Sequence, residues 1–350
     1  MTTTGIVRDN RYLRHETGRF HPESPQRLEA IYEMLDGSDM RDKLVDIKPR
    51  YAAEDEISVV HSHAYIERVA GTSGQKRTFL DPDTETSPES FETAKLAVGG
   101  LLNAIDSVVN GDVQNAFALI RPPGHHAERG RAAGFCIFNN VAVGALHAIR
   151  NHNMKKILIV DWDLHHGNGT QNTFYEDPHV LYFSTHQYPF YPGSGSINEI
   201  GSRNGLGYTI NVPLRRGPGD GEYLRIFRKI LEPVAMEYKP DMVLLSAGFD
   251  IYFDDPLGGM RVTPAGFRNL TRVLLNIADA CSNGRFVITL EGGYNIQGLR
   301  DSVKAVLLEM KGETFQTDEH LSSVESEADK GIDKIIEAVI RQIEPIWRVF

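Results

Sequence analysis

Four short apolar segments constrain the fold of this chain more than any other feature of its sequence. They are AFALI at residues 116–120, KILIV at 156–160, MVLLSA at 242–247 and FVITL at 286–290. Each has the length of a strand that is buried on both faces. Between them lie helix-like segments, for example 139–150 and 220–238, in which apolar residues recur every three or four positions. We therefore expect an α/β fold of three layers, with helices covering both faces of a central parallel sheet.

The organisation of the chain predicts one domain over residues 1–350, since no internal repeat or low-complexity linker divides it. The last part, from about 313 to 350, differs in composition. A polar stretch there precedes the amphipathic run IDKIIEAVIRQIEPIW, which predicts a C-terminal helical extension. This extension could pack on the domain or dock on a second subunit, so a homo-oligomer stays open.

Charge and hydropathy narrow the class of protein. The chain has 37 Lys and Arg against 47 Asp and Glu, and the net charge of -10 argues against nucleic acid and suits a cationic substrate. No apolar run approaches the roughly 18 residues of a membrane span, and the start of the sequence does not resemble a secretory leader. Cys136 and Cys281 lack a paired metal-ligand spacing. We therefore expect a cytoplasmic protein without membrane contact.

Polar clusters follow all four apolar segments. They read RPPGHHAERG, DWDLHHGNG, GFDIYFDDPLGG and EGGYN in chain order. Loops that leave the carboxyl ends of parallel strands gather along one edge of the sheet, and ligands bind there. The four clusters are therefore predicted to form one active site in these loops.

The cluster DWDLHHG predicts a metal site. Asp161, Asp163 and His165 alternate at a strand end, so their side chains point to the same side. Asp163, His165 and Asp250 would leave a fourth tetrahedral position for water, as in a catalytic zinc site with one ion. Each motif alone is more often a turn or a cap, but burying so many ionisable groups together is costly without a cation. The softness of these ligands does not distinguish Zn²⁺ from Mn²⁺ or Fe²⁺, so either of the latter could be the bound ion.

Two further motifs carry residues for proton transfer and charge stabilisation. His125 and His126 follow two prolines and a glycine; such a pair alone is typical of a surface, but beside a metal loop it predicts proton transfer. Tyr294 follows two glycines that let the backbone approach the site. Its phenol could stabilise an oxyanion by about 3 kcal/mol, and a core tyrosine is the alternative.

Taken together, the motifs resemble one known family. RPPGHHAE, GFCIFNN, DWDLHHGNGTQ, LLSAGFD, DPLGG and LEGGYN are similar to those of histone deacetylases, which have the arginase/deacetylase fold. The resemblance covers roughly residues 5 to 310. HPESPQR near the start, Asn168 in the HGNG position and DPLGG resemble the class II branch, which includes bacterial and archaeal histone deacetylase-like amidohydrolases.

The resemblance implies a role for individual residues. Those that match the family's metal ligands are Asp163, His165 and Asp250; those that match its catalytic set are His125, His126, Asp161, Asn168 and Tyr294. His126 would be the general base and acid, His125 its electrostatic partner, and Tyr294 the residue that polarises the substrate carbonyl. Asp161 would orient His125, and Asn168 would face His126. Class I relatives have an aspartate at the Asn168 position, which leaves the charge state of His126 open.

The resemblance also implies a substrate channel and potassium sites. Gly134, Phe135 and Tyr191 match the walls that hold the aliphatic part of an acyl-lysine, and Leu257 matches the rim. Tyr191 departs from the family's usual phenylalanine and could alter acyl preference. The residues that match the potassium site nearest the zinc are Asp161, Asp163, His165, Ser184 and Thr185, and Phe174 would lie at an outer site.

The function implied by the resemblance is zinc-dependent hydrolysis of an N-acyl amide, first of all an acetyl amide, on a lysine-like amine. The substrate would be an acylated lysine peptide or protein, or an acylated small amine. An acetylpolyamine or other small-molecule amidohydrolase shares every catalytic residue, although no acidic residue stands at the rim position of Leu257. A non-catalytic acyl-lysine-binding protein would be expected to lack one of these residues. An arginase-type enzyme needs an Asp-x-His-x-Asp order, which DWDLHHG lacks.

Overall fold

A parallel sheet of eight strands forms the centre of the molecule. The computed structural model describes residues 3–38 and 40–350. The strands of the described residues, including two outside this sheet, are β1 (Thr4–Val7), β2 (Val45–Asp46), β3 (Thr78–Asp81), β4 (Thr84–Thr86), β5 (Asn115–Ala118), β6 (Ile157–Asp161), β7 (Val180–Gln187), β8 (Thr209–Leu214), β9 (Met242–Ala247) and β10 (Phe286–Leu290). The sheet has the order β2-β1-β5-β10-β9-β6-β7-β8, and β3 and β4 pair separately as an antiparallel hairpin.

Helices flank this sheet. The α-helices are α1 (Gln26–Asp36), α2 (Glu54–Ile57), α3 (His63–Ala70), α4 (Ser90–Val109), α5 (Asn140–His152), α6 (Asn168–Phe174), α7 (Asp220–Ile226), α8 (Glu232–Tyr238), α9 (Pro264–Cys281), α10 (Ile296–Met310), α11 (Asp318–Ser326) and α12 (Asp333–Ile343). Short 3₁₀ segments cover Asn10–Arg14, Arg41–Lys43, Arg203–Gly205 and Lys330–Ile332. Helix α4 packs on α5, whereas α9 packs on α10 and α7. Within the described ranges, none of the helices has the length and apolar character needed to cross a bilayer.

The four strands predicted from apolar segments are the four central strands of the sheet. Strands β5, β10, β9 and β6 lie side by side in that order, and all their pairings are parallel. Their residues are buried on both faces, which is why each reads as a continuous apolar run. The expected α/β fold with a central parallel sheet is confirmed, and the carboxyl ends of these four strands lie next to one another.

The helix predicted over 220–238 is divided in the structure. A π-helical turn, Phe227–Leu231, lies between α7 and α8. Pro233, near the start of α8, has no backbone N–H to donate to the carbonyl of Lys229. The regular hydrogen-bond ladder is therefore interrupted at this point, and the wider turn accommodates the break.

The C-terminal helices pack on the rest of the chain. Helix α12 contacts β8 and buries Ile336, Val339 and Ile343. Beyond its end, the indole Nε1 of Trp347 donates to the carbonyl oxygen of Gly207 at 2.9 Å. Helix α11 lies against α7. Helix α12 therefore packs beside β8, the last strand of the sheet, whereas α11 packs on α7.

Candidate active site

Two carboxylates and one imidazole meet at the carboxyl ends of β6 and β9. Asp163 and His165 follow β6, and Asp250 follows β9. One ligand atom from each lies within 4.8 Å of the others. The Nδ1 atom of His165 is 3.1 Å from Oδ1 of Asp163 and 3.1 Å from Oδ2 of Asp250. The residues that the sequence places 85 positions apart are therefore neighbours in space.

The surrounding backbone holds both carboxylates in place. The N–H of Gly292 donates to Oδ2 of Asp163 at 2.9 Å, and the N–H of Leu164 donates to Oδ1 of Asp250 at 2.8 Å. A Cβ at position 292 would lie 2.6 Å from carboxylate oxygens of both aspartates. Only glycine therefore allows the loop after β10 to approach them this closely.

The electrostatics of these three groups fit a cation. Burial raises the pKa of Asp250 to about 7, and the nearby Asp163 adds to the effect. Burial also opposes ionisation of Asp163, yet His125 and His165 outweigh it and lower its pKa. The pKa of His165 is raised to about 9, because hydrogen bonds to the two aspartates outweigh its burial. The three side chains thus share protons that a divalent ion would displace on binding. Two carboxylate oxygens and one imidazole nitrogen form a donor set that fits Zn²⁺.

Two adjacent histidines lie beside this cluster with different partners. Nδ1 of His125 is 3.0 Å from Oδ2 of Asp161, which also accepts a hydrogen bond from the hydroxyl of Tyr182 at 3.0 Å. Nδ1 of His126 is 2.8 Å from Oδ1 of Asn168. The centroids of the two histidine rings are 4.0 Å apart.

Burial and the neighbouring charged groups shift the pKa values of the two histidines in opposite directions. Burial would lower the pKa of His125, but Asp161 and Asp163 outweigh it and raise the pKa to about 10. Burial lowers the pKa of His126 well below its usual value, and the nearby His125 and His165 add to this effect. A charged imidazole therefore lies next to a neutral one, which is an arrangement suited to an electrostatic partner and a general base.

Aromatic side chains line the approach to these groups. The ring centroid of Tyr191 is 5.1 Å from that of His126, and the centroid of Phe135 is 5.9 Å from that of Tyr294. Gly134 lies directly against the ring of His126. The sequence did not single out Phe190, which stacks on His165 with centroids 5.6 Å apart. Its only signal was its place beside Tyr191 in the segment PFYPG.

The buried carboxylate of Asp255 connects the loop of Leu257, the predicted rim residue, to the loop of Tyr294, the predicted catalytic tyrosine. Leu257 lies in the loop after Asp250 and donates its backbone N–H to Oδ1 of Asp255 at 2.9 Å. Oδ2 of Asp255 accepts the backbone N–H of Tyr294 at 2.7 Å. Burial raises the pKa of the Tyr294 phenol well above its usual value, so the phenol stays protonated and can donate a hydrogen bond.

Sequence reasoning missed a buried charged network that supports the same loop. Arg27 of the HPESPQR segment donates from Nε to the carbonyl of Gly293 at 2.7 Å and packs 5.2 Å from the ring centroid of Tyr294. Glu23 accepts a hydrogen bond from Arg27 at 3.1 Å and one from Arg121 at 2.7 Å. Glu23 and Arg27 are four residues apart in the sequence, and this spacing of opposite charges was the signal that could have identified them.

The positions assigned to potassium lie in the structure as follows. Ser184 pairs with Asp161 across β6 and β7, and Thr185 is the next residue of β7. Both are buried, as is Phe174 at the end of α6. Their role in binding potassium stays a prediction.

Comparison with known proteins identifies the family. The profile of the histone deacetylase domain matches residues 21–310. Histone deacetylase HDA1 of Candida albicans is 39% identical over 368 residues, which is 95% of this chain and 44% of that protein, so this chain spans less than half of its relative's length. A probable deacetylase of Archaeoglobus fulgidus is 40% identical over 297 residues, covering 84% of this chain and 82% of that protein. The crystal structure of an HDA15 HD domain has a TM-score of 0.92 at 36% identity, covering 99% of this chain and 96% of that one. The resemblance found in the motifs is therefore confirmed, and the chain belongs to the histone deacetylase family.

Proposed function

We propose that this chain hydrolyses the N-acyl amide of an acylated lysine, with acetyl-lysine as the first substrate to test. The observation that carries the proposal is the meeting of Asp163, His165 and Asp250 next to His126, with the ring of Tyr191 close by. The relatives named above are deacetylases by name, which supports the same reaction.

The residues divide the work of amide hydrolysis. Asp163, His165 and Asp250 would hold one Zn²⁺, which when bound would supply Lewis acidity to the scissile carbonyl and the attacking water. Nε2 of His126, whose other nitrogen faces Asn168, would take the proton from that water. The phenol of Tyr294 would donate a hydrogen bond to the carbonyl oxygen as negative charge develops.

The oxygen of the deprotonated water would add to the carbonyl carbon, and collapse of the resulting tetrahedral adduct would break the C–N bond. The proton held on Nε2 of His126 would pass to the departing amine, and the acid proton of the carboxyl product would pass to the released amine, so that a carboxylate and an ammonium group are formed. His125 would stay protonated through both steps, because the carboxylate of Asp161, 3.0 Å from its Nδ1, favours the charged ring and raises its pKa. Its charge would stabilise the negative charge that builds up nearby.

The side chains of the predicted channel favour a substrate in which the acyl group is attached to a lysine-like amine. Phe135 and Tyr191 offer aromatic walls for a four-carbon chain. An acetylpolyamine carries a further cation, which would be expected to meet an acidic residue at the rim, whereas Leu257 is apolar. Rates on an acetyl-lysine peptide are therefore expected to exceed those on acetylspermidine.

The test is hydrolysis of a fluorogenic acetyl-lysine amide with and without a zinc chelator. We expect turnover that the chelator abolishes and that added zinc restores. His126→Ala is expected to lose most turnover while keeping its zinc. His179→Ala, at an exposed histidine paired with Asp177, is the matched control and should keep wild-type turnover. Turnover that resists the chelator, or full activity in His126→Ala, would refute the mechanism.

Two further expectations belong to the same proposal. Potassium should raise turnover above that in a salt of a bulky organic cation, and equal rates would remove the potassium site from the account.

The two cysteines are unpaired thiols, Cys136 buried and Cys281 partly buried, which supports a reducing cytoplasmic compartment. Cell fractionation that finds the chain outside the cytoplasm would contradict this placement.

A further inference from the structure

The side-chain amide of Asn168 controls which ring nitrogen of His126 carries a proton. Nδ1 of His126 is 2.8 Å from Oδ1 of Asn168. An amide has an acceptor oxygen and a donor nitrogen, and either end could face the ring. If the oxygen faces the ring, Nδ1 must carry hydrogen and Nε2 keeps its lone pair. If the nitrogen faces the ring, the proton moves to Nε2 and the base is blocked.

The carboxylate of Glu128 decides between these two orientations. Nδ2 of Asn168 donates to Oε1 of Glu128 at 2.7 Å. An ionised carboxylate can only accept hydrogen bonds, so the nitrogen end of the amide has to face it. The oxygen end of Asn168 then has to face His126. The charge of Glu128 is thus two hydrogen bonds away from the base and sets its tautomer.

Glu128 is itself held in one position. Its backbone carbonyl accepts a hydrogen bond from Nδ1 of His61 at 2.8 Å. Nε2 of His61 accepts the backbone N–H of Asn139 at 2.9 Å, so the proton of His61 has to lie on Nδ1. Burial lowers the pKa of His61 to about 4, which keeps this ring neutral. The main chain that presents Glu128 is therefore fixed by a buried histidine.

Further donors fix the side chain. Asn172 and Arg131 each donate to the same Oε1 atom at 3.3 Å. Three donors therefore converge on one oxygen of Glu128. An uncharged glutamine at this position would keep its oxygen towards them, whereas a lysine could not accept any of these hydrogen bonds.

We propose that Glu128 is a positioning residue that, through Asn168, holds His126 as the tautomer with hydrogen on Nδ1 and a free lone pair on Nε2. The catalytic consequence rests on the proposed function, because it matters only if His126 is the base. The tautomer itself does not depend on that function.

Three substitutions at one position separate charge, acceptor and size. Glu128→Gln keeps the acceptor and is expected to lower kcat about threefold. Glu128→Leu removes the acceptor, frees the amide and is expected to give a mixture of both tautomers. Glu128→Lys offers only donors, so Asn168 should turn its oxygen away from His126 and kcat should fall about 100-fold. KM should stay within about threefold in all three. Glu67→Lys, at an exposed helix position, is the charge-matched control.

Long-range ¹H–¹⁵N spectra of the zinc-loaded, ¹⁵N-histidine-labelled chain read the tautomer directly. The His126 signals are assigned by their loss in His126→Gln. We expect hydrogen on Nδ1 in the wild type and in Glu128→Gln, and on Nε2 in Glu128→Lys. Hydrogen on Nε2 in the wild type, or unchanged spectra and kcat in both Glu128→Lys and Glu128→Leu, would overturn the inference. A wild type with hydrogen on Nδ1 but no turnover of any N-acyl amide would refute the proposed function and leave the positioning by Glu128 standing.

Discussion

Replacing Gly134 by alanine should displace the proposed general base by a distance that the structure defines. Gly134 has a φ of +55°, and a Cβ added there would lie 2.2 Å from Cδ2 and 3.0 Å from Nε2 of His126. Ordinary contacts begin at 3.4 Å, so the ring would have to retreat by about 1.2 Å, the difference between 3.4 and 2.2 Å. A misplacement of about 1 Å can cost about 100-fold in rate. We therefore expect kcat of Gly134→Ala to fall about 100-fold.

The assay has to separate this displacement from a loss of folding. The left-handed backbone at position 134 adds about 1–2 kcal/mol of strain for alanine, which urea unfolding would measure. Gly130→Ala is the matched control in the same loop, because a Cβ there meets no atom within 4 Å. It should stay within about twofold of wild-type kcat. A folded, zinc-loaded Gly134→Ala with kcat within threefold of wild type would refute the reasoning.

Two further predictions concern the tyrosine and the buried charges behind it. Tyr294→Phe should lower kcat by about 100-fold or more. Its zinc content and free energy of unfolding should stay near wild type, because the phenol has no hydrogen bond among residues 3–38 and 40–350 and the ring contacts remain. Full activity of this variant would remove the assigned role of Tyr294. Glu23→Gln should lower the free energy of unfolding at neutral pH by about 3–5 kcal/mol, because it leaves Arg27 and Arg121 without their buried carboxylate. The pKa of Glu23 is lowered from 4.5 to about 2, because the two arginines outweigh burial, so its contribution is complete above 4.5 and is lost as pH falls towards 2. The difference between variant and wild type in urea unfolding should therefore narrow below about pH 4.5, and a constant difference would contradict the assignment.

The central strands were predictable because they are buried on both faces. Strands β9 and β10 follow the predicted segments residue for residue. Other strands of the sheet were not identified, for reasons that differ between them. Strand β2 has only two residues, both exposed, and β7 carries polar residues such as Ser184 and His186 within an apolar frame. Short or mixed segments lack the continuous apolar signal on which the prediction depends.

The meeting of Asp163, His165 and Asp250 was predictable from topology alone, because all three follow parallel strands. The supporting contacts were not. Arg27 and Gly293 are 266 residues apart, and Glu23 and Arg121 are 98 apart. Arg27 lies in the first turn of α1 and Glu23 in the loop before it, and the order of the strands does not predict where this segment meets the sheet. Their contribution becomes visible only when the packing of α1 is known.

The central claim is that Asp163, His165 and Asp250 bind one divalent ion. Its most direct test is an anomalous difference map from crystals of the purified chain, recorded on both sides of the zinc absorption edge. We predict one peak at this cluster, about 2.0–2.2 Å from a carboxylate oxygen of each aspartate and from Nδ1 of His165. A fully folded, active chain without a peak between these three side chains would contradict the account.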